Sequence, residues 1–554
     1  MILYICQLAF TIVIIIKNIF SVSVSWSLIK ILWLNFELLF TFDQISYVFR
    51  LTVTYIRVCV LIFRHFYIGS DKHYLYFHRL ILLFISSIIL LIFRSNSLRI
   101  ILGWDGLGVS SYLLVLYYNN SLSSTCAITT VLRNRLGDLF LIVLLGFMFS
   151  LGRFNILINK FRFEFIFLRV LILFAGCTKR AQIPFRAWLP LAIIAPTPVR
   201  ALVHRSTLVT AGLYLIIRHF IRLPTWRGCN FLFIIGGLTI IIARLRALFE
   251  IDVKKIVALS TLSQLGVIRL GVGIELPIMA FLHLLIHAYF KAIIFIIVGQ
   301  LIYFSLGYQS INFMGRLGVA RPVMIGGFLI GAFSLIGIPF MAAFYSKEPI
   351  IEILFTRNFL LTGYFLILRG VCLTCLYSLR LLLLSGIFLV RHCSTIHLLE
   401  RIKRIIRISL LFLPSFFRGV IFSNLFSFLR FEGLVNRNVK LVICAFIIFR
   451  FLPLSNINLM FKRSDSLNKN YLHPWFNTYI GLIVFSGRLF NINYMKLSKI
   501  SFFVRRFFIN YNMKNIGPNK FFLKEKIFLL ERTNLSKNLS FLIVGIFIIG
   551  FISF

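Results

Sequence analysis

Residues 274–301 read IELPIMAFLHLLIHAYFKAIIFIIVGQL, a stretch that is almost wholly apolar. It is long enough to cross a membrane, since a helix spans the hydrocarbon core with about 20 apolar residues. His283, His287 and Lys291 interrupt the run at intervals of four residues. Because a helix advances about 100° per residue, the three side chains lie on one stripe. Titratable groups inside a membrane are costly and usually functional, so the stretch predicts a transmembrane helix that lines an ion or proton route.

The rest of the chain has the composition of a membrane protein. Of its 554 residues, 60% are hydrophobic and 14% are charged, whereas a soluble protein of this size needs more polar surface. Apolar runs follow one another at 1–20, 28–42, 47–68, 79–93, 97–118, 125–151, 164–178, 197–221, 229–250, 254–273, 276–305, 322–344, 359–390, 405–430, 438–455, 475–495 and 538–554. We predict an all-α polytopic membrane protein with roughly 14 to 17 transmembrane helices. The pattern shows no period-2 alternation, which disfavours a β-barrel.

The charge excludes two classes of protein. The chain has 59 lysines and arginines against 16 acidic residues, a net charge of +43. These basic residues are dispersed through the apolar runs, so they do not form a nucleic-acid surface. They do not recur at every third position of one helix either, which excludes a voltage sensor. The CxxC pair Cys372 and Cys375 lies in an apolar run without further ligands, so we interpret both cysteines as apolar filling.

Two carboxylates lie in or beside apolar runs. Residues 97–118 read SLRIILGWDGLGVSSYLLVLYY, in which Asp105 is surrounded by apolar positions. The glycines at 103, 106 and 108 are expected to permit close approach of another helix. Asp105 is therefore a candidate site residue, with a water-facing helix end as the alternative. Asp138 heads the next run, where a functional role and stabilisation by the dipole of a helix N-terminus are both open.

Two proline-broken segments each carry a lysine. In residues 171–218, Lys179 ends an apolar run, and the pattern is then interrupted by Pro184, Pro190, Pro196 and Pro198. In residues 331–352, Pro339 precedes Lys347. A broken membrane helix frees backbone groups that need partners, and transporters place their sites at such breaks. A pair of breaks indicates two inverted repeats.

The breaks and the change of composition after residue 400 suggest a division of the chain. The repeats extend over about 79–221 and 229–395. In chain order we predict N-terminal transmembrane helices at 1–78, a translocating core at 79–395, further transmembrane helices at 396–495, and a basic, amphipathic lateral segment with a final membrane anchor at 496–554.

Three further titratable residues have open interpretations. His204 is a site residue or a satisfied packing group, and Lys254 is a site residue or a solvated helix end. Glu348 shares a proton with Lys347 or is solvated at a helix end. The HxxxH pair could also hold zinc, but a zincin needs glutamate after the first histidine, where this chain has Leu284.

A series of ordered motifs resembles the antiporter-like membrane subunits of the proton-pumping respiratory NADH dehydrogenase, complex I, in their mitochondrial form. The motifs are GWDGLGVSSYLLVLYY, NRLGD, TKRAQIPFRAWLP, APTPVRALVHRSTLVTAGLYLIIR, DVKKIVALSTLSQLG, HLLIHAYFKA and GIPFMAAFYSKE. The resemblance covers roughly residues 79–355 and is weak elsewhere. It implies a proton-translocating subunit that couples electron transfer from NADH to ubiquinone to proton pumping across the inner mitochondrial membrane.

The resemblance also implies roles for residues. It pairs Asp105 with Lys179, and it matches further family positions to His204, Lys254, His283, His287, Lys291, Lys347 and Glu348. It implies an organelle-encoded, multi-pass protein with the other membrane-arm subunits and lipid as partners, and no nucleic acid. No cofactor is expected on this chain, while the complex uses NADH, FMN, iron–sulfur clusters and ubiquinone. The alternative is a subunit of a multi-subunit sodium/proton antiporter, which shares these motifs.

The chain departs from the family motifs at serines. Arginines stand at family serine positions 180, 186, 200 and 205. A guanidinium beside a proton-carrying lysine is costly and opposes its protonation. Invertebrate mitochondria read AGA and AGG as serine, so our hypothesis is that many of these arginines are serines in the synthesised protein. A count of only nine methionines fits AUA codons written as isoleucine. The alternatives are genuine arginines lining wet channels, or a scaffold with an inactive channel.

Overall fold

A computed structural model describes part of the chain. The described residues are 21–31, 34–69, 71, 73–93, 97–150, 164–179, 182, 185, 189, 195–201, 208–220, 228–305, 307–311, 322–356, 361–384 and 419. They belong to the first of two units, Met1–Ile483, and the second unit, Val484–Phe554, lies outside them. The predicted segments 396–495 and 496–554 therefore stay predictions, as does the division into repeats.

Helices make up most of the described structure. Two strands come first, β1 (Ser21–Ile31) and β2 (Leu34–Asp43). The helices are α1 (Gln44–Tyr67), α2 (Tyr74–Ile92), α3 (Ser97–Val115), α4 (Ser121–Ser150), α5 (Glu164–Lys179), α6 (Thr197–Ala201), α7 (Leu208–Phe220), α8 (Gly228–Phe249), α9 (Val253–Gly273), α10 (Pro277–Phe304), α11 (Pro322–Ile336), α12 (Phe344–Thr356) and α13 (Leu361–Leu382). A short 3₁₀ turn, Leu116–Tyr118, follows α3.

The helical membrane architecture predicted from the sequence is confirmed. Within the described residues, six helices are long and apolar enough to cross a membrane: Gln44–Arg64, Tyr74–Ile92, Ser97–Tyr118, Cys229–Phe249, Val253–Gly273 and Pro277–Phe304. Their bounds agree with the apolar runs to within a few residues. The runs at 1–20 and beyond 400 lie outside the described residues apart from residue 419, so the total number of spans stays a prediction.

The apolar run at 28–42 forms part of a hairpin, which corrects its interpretation as a membrane helix. The strands β1 and β2 pair antiparallel, with Ser21 opposite Asp43. The segment SVSVSW at the start of β1 alternates serine with valine, and β-branched residues at a period of two favour a strand. Period-2 alternation is thus present here, and run length alone did not distinguish a strand pair from a helix.

Two helices that are buried over almost their whole length, α9 and α10, form the centre of the described structure. A tight connection joins them, in which Glu275 has a positive φ of 67°. Helix α10 packs against α1, α6, α7, α9, α11 and α12. Because protein surrounds it on every side, its polar side chains must find partners within the fold.

Two glycine positions determine how neighbouring elements meet. A Cβ on Gly103 or on Gly106 would lie 2.9 Å from the Cβ of Leu91 or Ser87 on α2, which confirms the expected close approach of a helix at these two positions. A Cβ on Gly108 would meet nothing within 4 Å among the described residues, so the expectation is wrong at that position. Gly337, at φ 89°, ends α11 in a left-handed conformation that other residues rarely adopt. The chain then turns through Pro339 before α12 begins, so the predicted second helix break is present.

Candidate functional site

Lys179 is fully buried at the end of α5, where the proline-rich segment begins. Its Nζ donates a hydrogen bond of 2.6 Å to the Trp104 carbonyl and lies 3.9 Å from the centroid of the Trp104 ring. Asp138 and Asp105 both act on it electrostatically, and the interaction with Asp138 is the larger. The family resemblance implies a pair of Lys179 with Asp105. In the structure, the electrostatic interaction of Lys179 with Asp138 is larger than that with Asp105.

The two carboxylates occupy helix interiors. Asp138 is 7% exposed, lies well inside α4, and forms an ion pair of 3.3 Å with Arg135. This position excludes the alternative of a dipole-stabilised helix N-terminus. Asp105 is half-buried in the middle of α3, which excludes a helix end in water, and its Oδ1 makes no hydrogen bond to any described residue. Both carboxylates can therefore influence Lys179 without full screening by water.

The stripe on α10 points into protein along its whole length. His283, His287 and Lys291 have no exposed surface. The Lys291 Nζ donates a hydrogen bond of 2.5 Å to the Ser260 hydroxyl on α9. The rings of His283 and His287 lie 6.4 Å apart, centroid to centroid. The predicted stripe is thus a buried column of titratable side chains.

Lys347 lies in the first turn of α12, directly after the break at Gly337. It is 3% exposed, and its Nζ donates a hydrogen bond of 2.8 Å to the carbonyl of Ile336, the last residue of α11. Glu348 is 6% exposed and acts on Lys347 electrostatically, as does Arg244. Burial excludes the alternative of a solvated lysine and glutamate at a helix end.

The remaining sequence candidates divide into buried, exposed and undescribed residues. Lys254 is buried, whereas Lys255 next to it is exposed and pairs with Asp252 at 2.7 Å. The solvated helix end expected here therefore applies to Lys255 and not to Lys254. His204 lies outside the described residues.

Three neutral residues of the site were not predicted from the sequence. Ser260, Gln264 and Ser346 are buried and bond to the lysine and histidine side chains of α10. Neutral polar residues carry no titration signal in a sequence, and all three contacts join residues that lie on different helices. In the described part of the chain, no group of three or more His, Cys, Asp or Glu side chains could hold a metal ion.

The described arginines bear on the serine hypothesis. Arg244 and Arg269 are each 1% exposed, and among the described residues neither has a carboxylate partner. Within the same part of the chain, the Nε and Nη2 atoms of Arg244 and the Nε and Nη1 atoms of Arg269 make no hydrogen bond. A buried charge without full pairing costs several kcal/mol. Arg218 is different, because it forms an ion pair with Asp43. The side chains at 180, 186, 200 and 205 lie outside the described residues.

We propose that positions 244 and 269 are serine in the synthesised protein, whereas position 218 is arginine. The expected codons are AGA or AGG at 244, 269, 186 and 205, and CGN at 218. Peptide sequencing by mass spectrometry of the purified chain is then expected to show serine at positions 244 and 269 and arginine at position 218. CGN codons at 244 and 269, or arginine in the peptides at these two positions, would refute the proposal. CGN codons at 186 and 205 would refute the wider hypothesis for the motif positions.

The fold and the buried column together define a class of protein. This is a polytopic helical membrane protein whose interior carries lysines and histidines at broken or wholly buried helices, as ion-translocating proteins do. Residues 95–376 match the family described as NADH:quinone oxidoreductase/Mrp antiporter, TM. The chain belongs to this family.

Several relatives of the chain carry the name NADH-ubiquinone oxidoreductase chain 5. It is 36% identical over 486 residues to NADH-ubiquinone oxidoreductase chain 5 of Aedes aegypti, with 85% of this chain and 82% of the relative covered. It is 40% identical over 347 residues to the protein of that name from Anopheles arabiensis, covering 62% and 90%. With the Lumbricus terrestris protein the identity is 39% over 363 residues, covering 65% and 63%.

Solved structures share the fold. A chain of the Mrp complex from Dietzia sp. DQ12-45-1b superposes with a TM-score of 0.75 at 21% identity, covering 95% of this chain and 58% of the other. A chain of the membrane-bound sulfane sulfur reductase, an archaeal respiratory membrane complex, gives a TM-score of 0.68 at 20% identity, covering 77% and 90%. Both are parts of multi-subunit membrane complexes.

Proposed function

We propose that the chain is the proton-translocating membrane subunit of a respiratory NADH:ubiquinone oxidoreductase, complex I, in the inner mitochondrial membrane. It couples electron transfer from NADH to ubiquinone to proton movement across that membrane. The relatives named NADH-ubiquinone oxidoreductase chain 5 support this function. Its partners are the other membrane-arm subunits and lipid. The redox cofactors of such a complex lie on other subunits, and the chain is organelle-encoded.

The observation that carries the proposal is the string of buried titratable side chains. Lys179 ends one broken segment, Lys347 follows the other, and Lys291 with its histidines lies on the central helix between them in sequence. A protein does not bury this many titratable groups at membrane depth for stability, since each one is costly to desolvate. Their cost is explained if they carry protons.

The mechanism follows from electrostatics in a medium of low dielectric constant. A buried ammonium group is unfavourable by itself and is favoured by a nearby carboxylate. Lys179 therefore holds a proton while Asp138 and Asp105 act on it, and releases the proton when their field weakens. Lys291 with its histidines relays protons along the membrane interior. Lys347 with Glu348 forms the exit.

The second candidate function is that of a sodium/proton antiporter subunit, which the fold shared with the Mrp complex favours. Purification of the native assembly discriminates between the two. We expect the chain to purify with a complex that oxidises NADH and reduces ubiquinone. Purification with a complex that lacks NADH oxidation and exchanges sodium for protons would support the antiporter.

A further inference from the structure

His283 has a hydrogen-bond partner on each ring nitrogen. Its Nδ1 lies 2.9 Å from the Ser346 hydroxyl on α12, and its Nε2 lies 3.3 Å from the Gln264 Oε1 on α9. All three residues have no exposed surface. The ring is therefore held between two neighbouring helices, and these two side chains are its hydrogen-bond partners among the described residues.

The Gln264 amide determines which nitrogen carries the proton. Its Nε2 lies 3.4 Å from the Leu335 carbonyl, which can only accept a hydrogen bond. The amide nitrogen consequently faces Leu335, and the amide oxygen faces His283. Because an amide oxygen also only accepts, the His283 Nε2 must carry a hydrogen. In the neutral ring, Nδ1 is then the acceptor.

The Ser346 hydroxyl can serve His283 in both of its charge states. Its oxygen lies 2.9 Å from Nδ1 and 3.3 Å from the Ala343 carbonyl. When the ring is neutral, the hydroxyl donates to Nδ1. When the ring is protonated, Nδ1–H donates to the hydroxyl oxygen, and the hydroxyl proton turns to Ala343. In both charge states the two ring nitrogens and the Ser346 hydroxyl have hydrogen-bond partners, so a change of protonation leaves none of these buried polar atoms without one.

We propose that Gln264 is a positioning residue that holds His283 as the Nε2–H tautomer and directs its proton uptake and release to Nδ1, on the side of Ser346. This inference rests on the proposed function and deepens it. Ser346 precedes Lys347, so the exchanging nitrogen faces the helix that carries the next lysine. Among the described residues, Lys347 and Arg244 (as the sequence is written) act on the ring electrostatically, and the titratable His287 ring lies 6.4 Å from it, centroid to centroid.

Substitutions at Gln264 test the tautomer argument in the assembled, membrane-reconstituted complex. Gln264→Met keeps a similar volume but removes the acceptor, so both tautomers become populated and proton translocation falls by about as much as in Lys291→Ala. Gln264→Glu places a carboxylate at Nε2 and favours the imidazolium, so release needs a higher pH and the pH profile of translocation moves to the alkaline side. Thr261→Val is the matched control, because Thr261 is buried on the same helix and its hydroxyl donates a hydrogen bond to the Ala258 carbonyl of that helix.

The readouts are protons translocated per NADH oxidised, and NADH turnover, each as a function of pH. Wild-type values in Gln264→Met, or an unshifted profile in Gln264→Glu, overturn the inference. If these variants do not assemble, Ser346→Ala is the deciding variant. We expect Ser346→Ala to lose proton translocation and Ser346→Thr to retain it. Wild-type translocation in Ser346→Ala would overturn the inference. If Lys291→Ala also translocates normally, it is the proposed function that fails.

Discussion

Replacement of Lys291 by alanine is expected to abolish proton translocation through this chain while the complex still assembles. The Lys291 ammonium group is fully buried and donates a hydrogen bond of 2.5 Å to the Ser260 hydroxyl, so alanine removes the titratable group from the buried column. A side chain that carries a transferred proton typically contributes about 10²- to 10⁴-fold to the rate. The loss is measured as protons translocated per NADH oxidised, together with NADH turnover, in reconstituted vesicles.

Lys255→Ala is the matched control for this experiment. Lys255 is exposed on α9, the helix packed against α10, and its pair with Asp252 contributes roughly 1 kcal/mol or less, as exposed ion pairs do. We expect Lys255→Ala to translocate protons normally. Normal turnover and normal proton yield in Lys291→Ala would contradict the relay role of Lys291.

The second large effect is expected at Asp138. Asp138→Asn preserves the shape of the side chain but removes the charge that acts most strongly on Lys179. Without that charge, the protonated form of Lys179 is less stable relative to the neutral amine. Lys179 then fails to take up its proton at alkaline pH first, so the pH range in which the chain translocates protons becomes narrower and loses its alkaline part. Proton yield measured across pH in the assembled complex reports this change.

Asp105→Asn provides the comparison. Asp105 is half-buried and acts less strongly on Lys179, so its amide variant is expected to show a smaller contraction in the same direction. A larger effect at Asp105 than at Asp138 would contradict the ranking from the structure and restore the pairing that the sequence motif implies.

The sequence predicted those features that depend on local periodicity. The spacing of His283, His287 and Lys291 placed them on one stripe, and all three are buried in α10. The break near Pro339 was visible because proline lacks the backbone N–H that a helix interior needs and tends to kink or break a helix. The central helix and the second broken segment were therefore readable from residues alone.

Features that depend on tertiary contacts were not readable. Lys254 and Lys255 are adjacent in a polar helix start, and only packing shows that one is buried and the other exposed. Gln264 and Ser346 are neutral, and they reach His283 from 19 and 63 residues away in sequence. The hairpin of β1 and β2 was missed because the length of an apolar run does not reveal strand pairing.

We propose that the buried lysines form one proton path, and a double substitution tests this path most directly. Groups that act in series show strongly non-additive effects, because blocking either one already stops the flow. The measurement is the proton yield per NADH oxidised for Lys291→Ala, Lys347→Ala and the combined variant, in vesicles that contain the assembled complex. A single path predicts that the combined variant loses no more than the more severe single variant. Losses that add would show that Lys291 and Lys347 serve separate routes and would contradict the account.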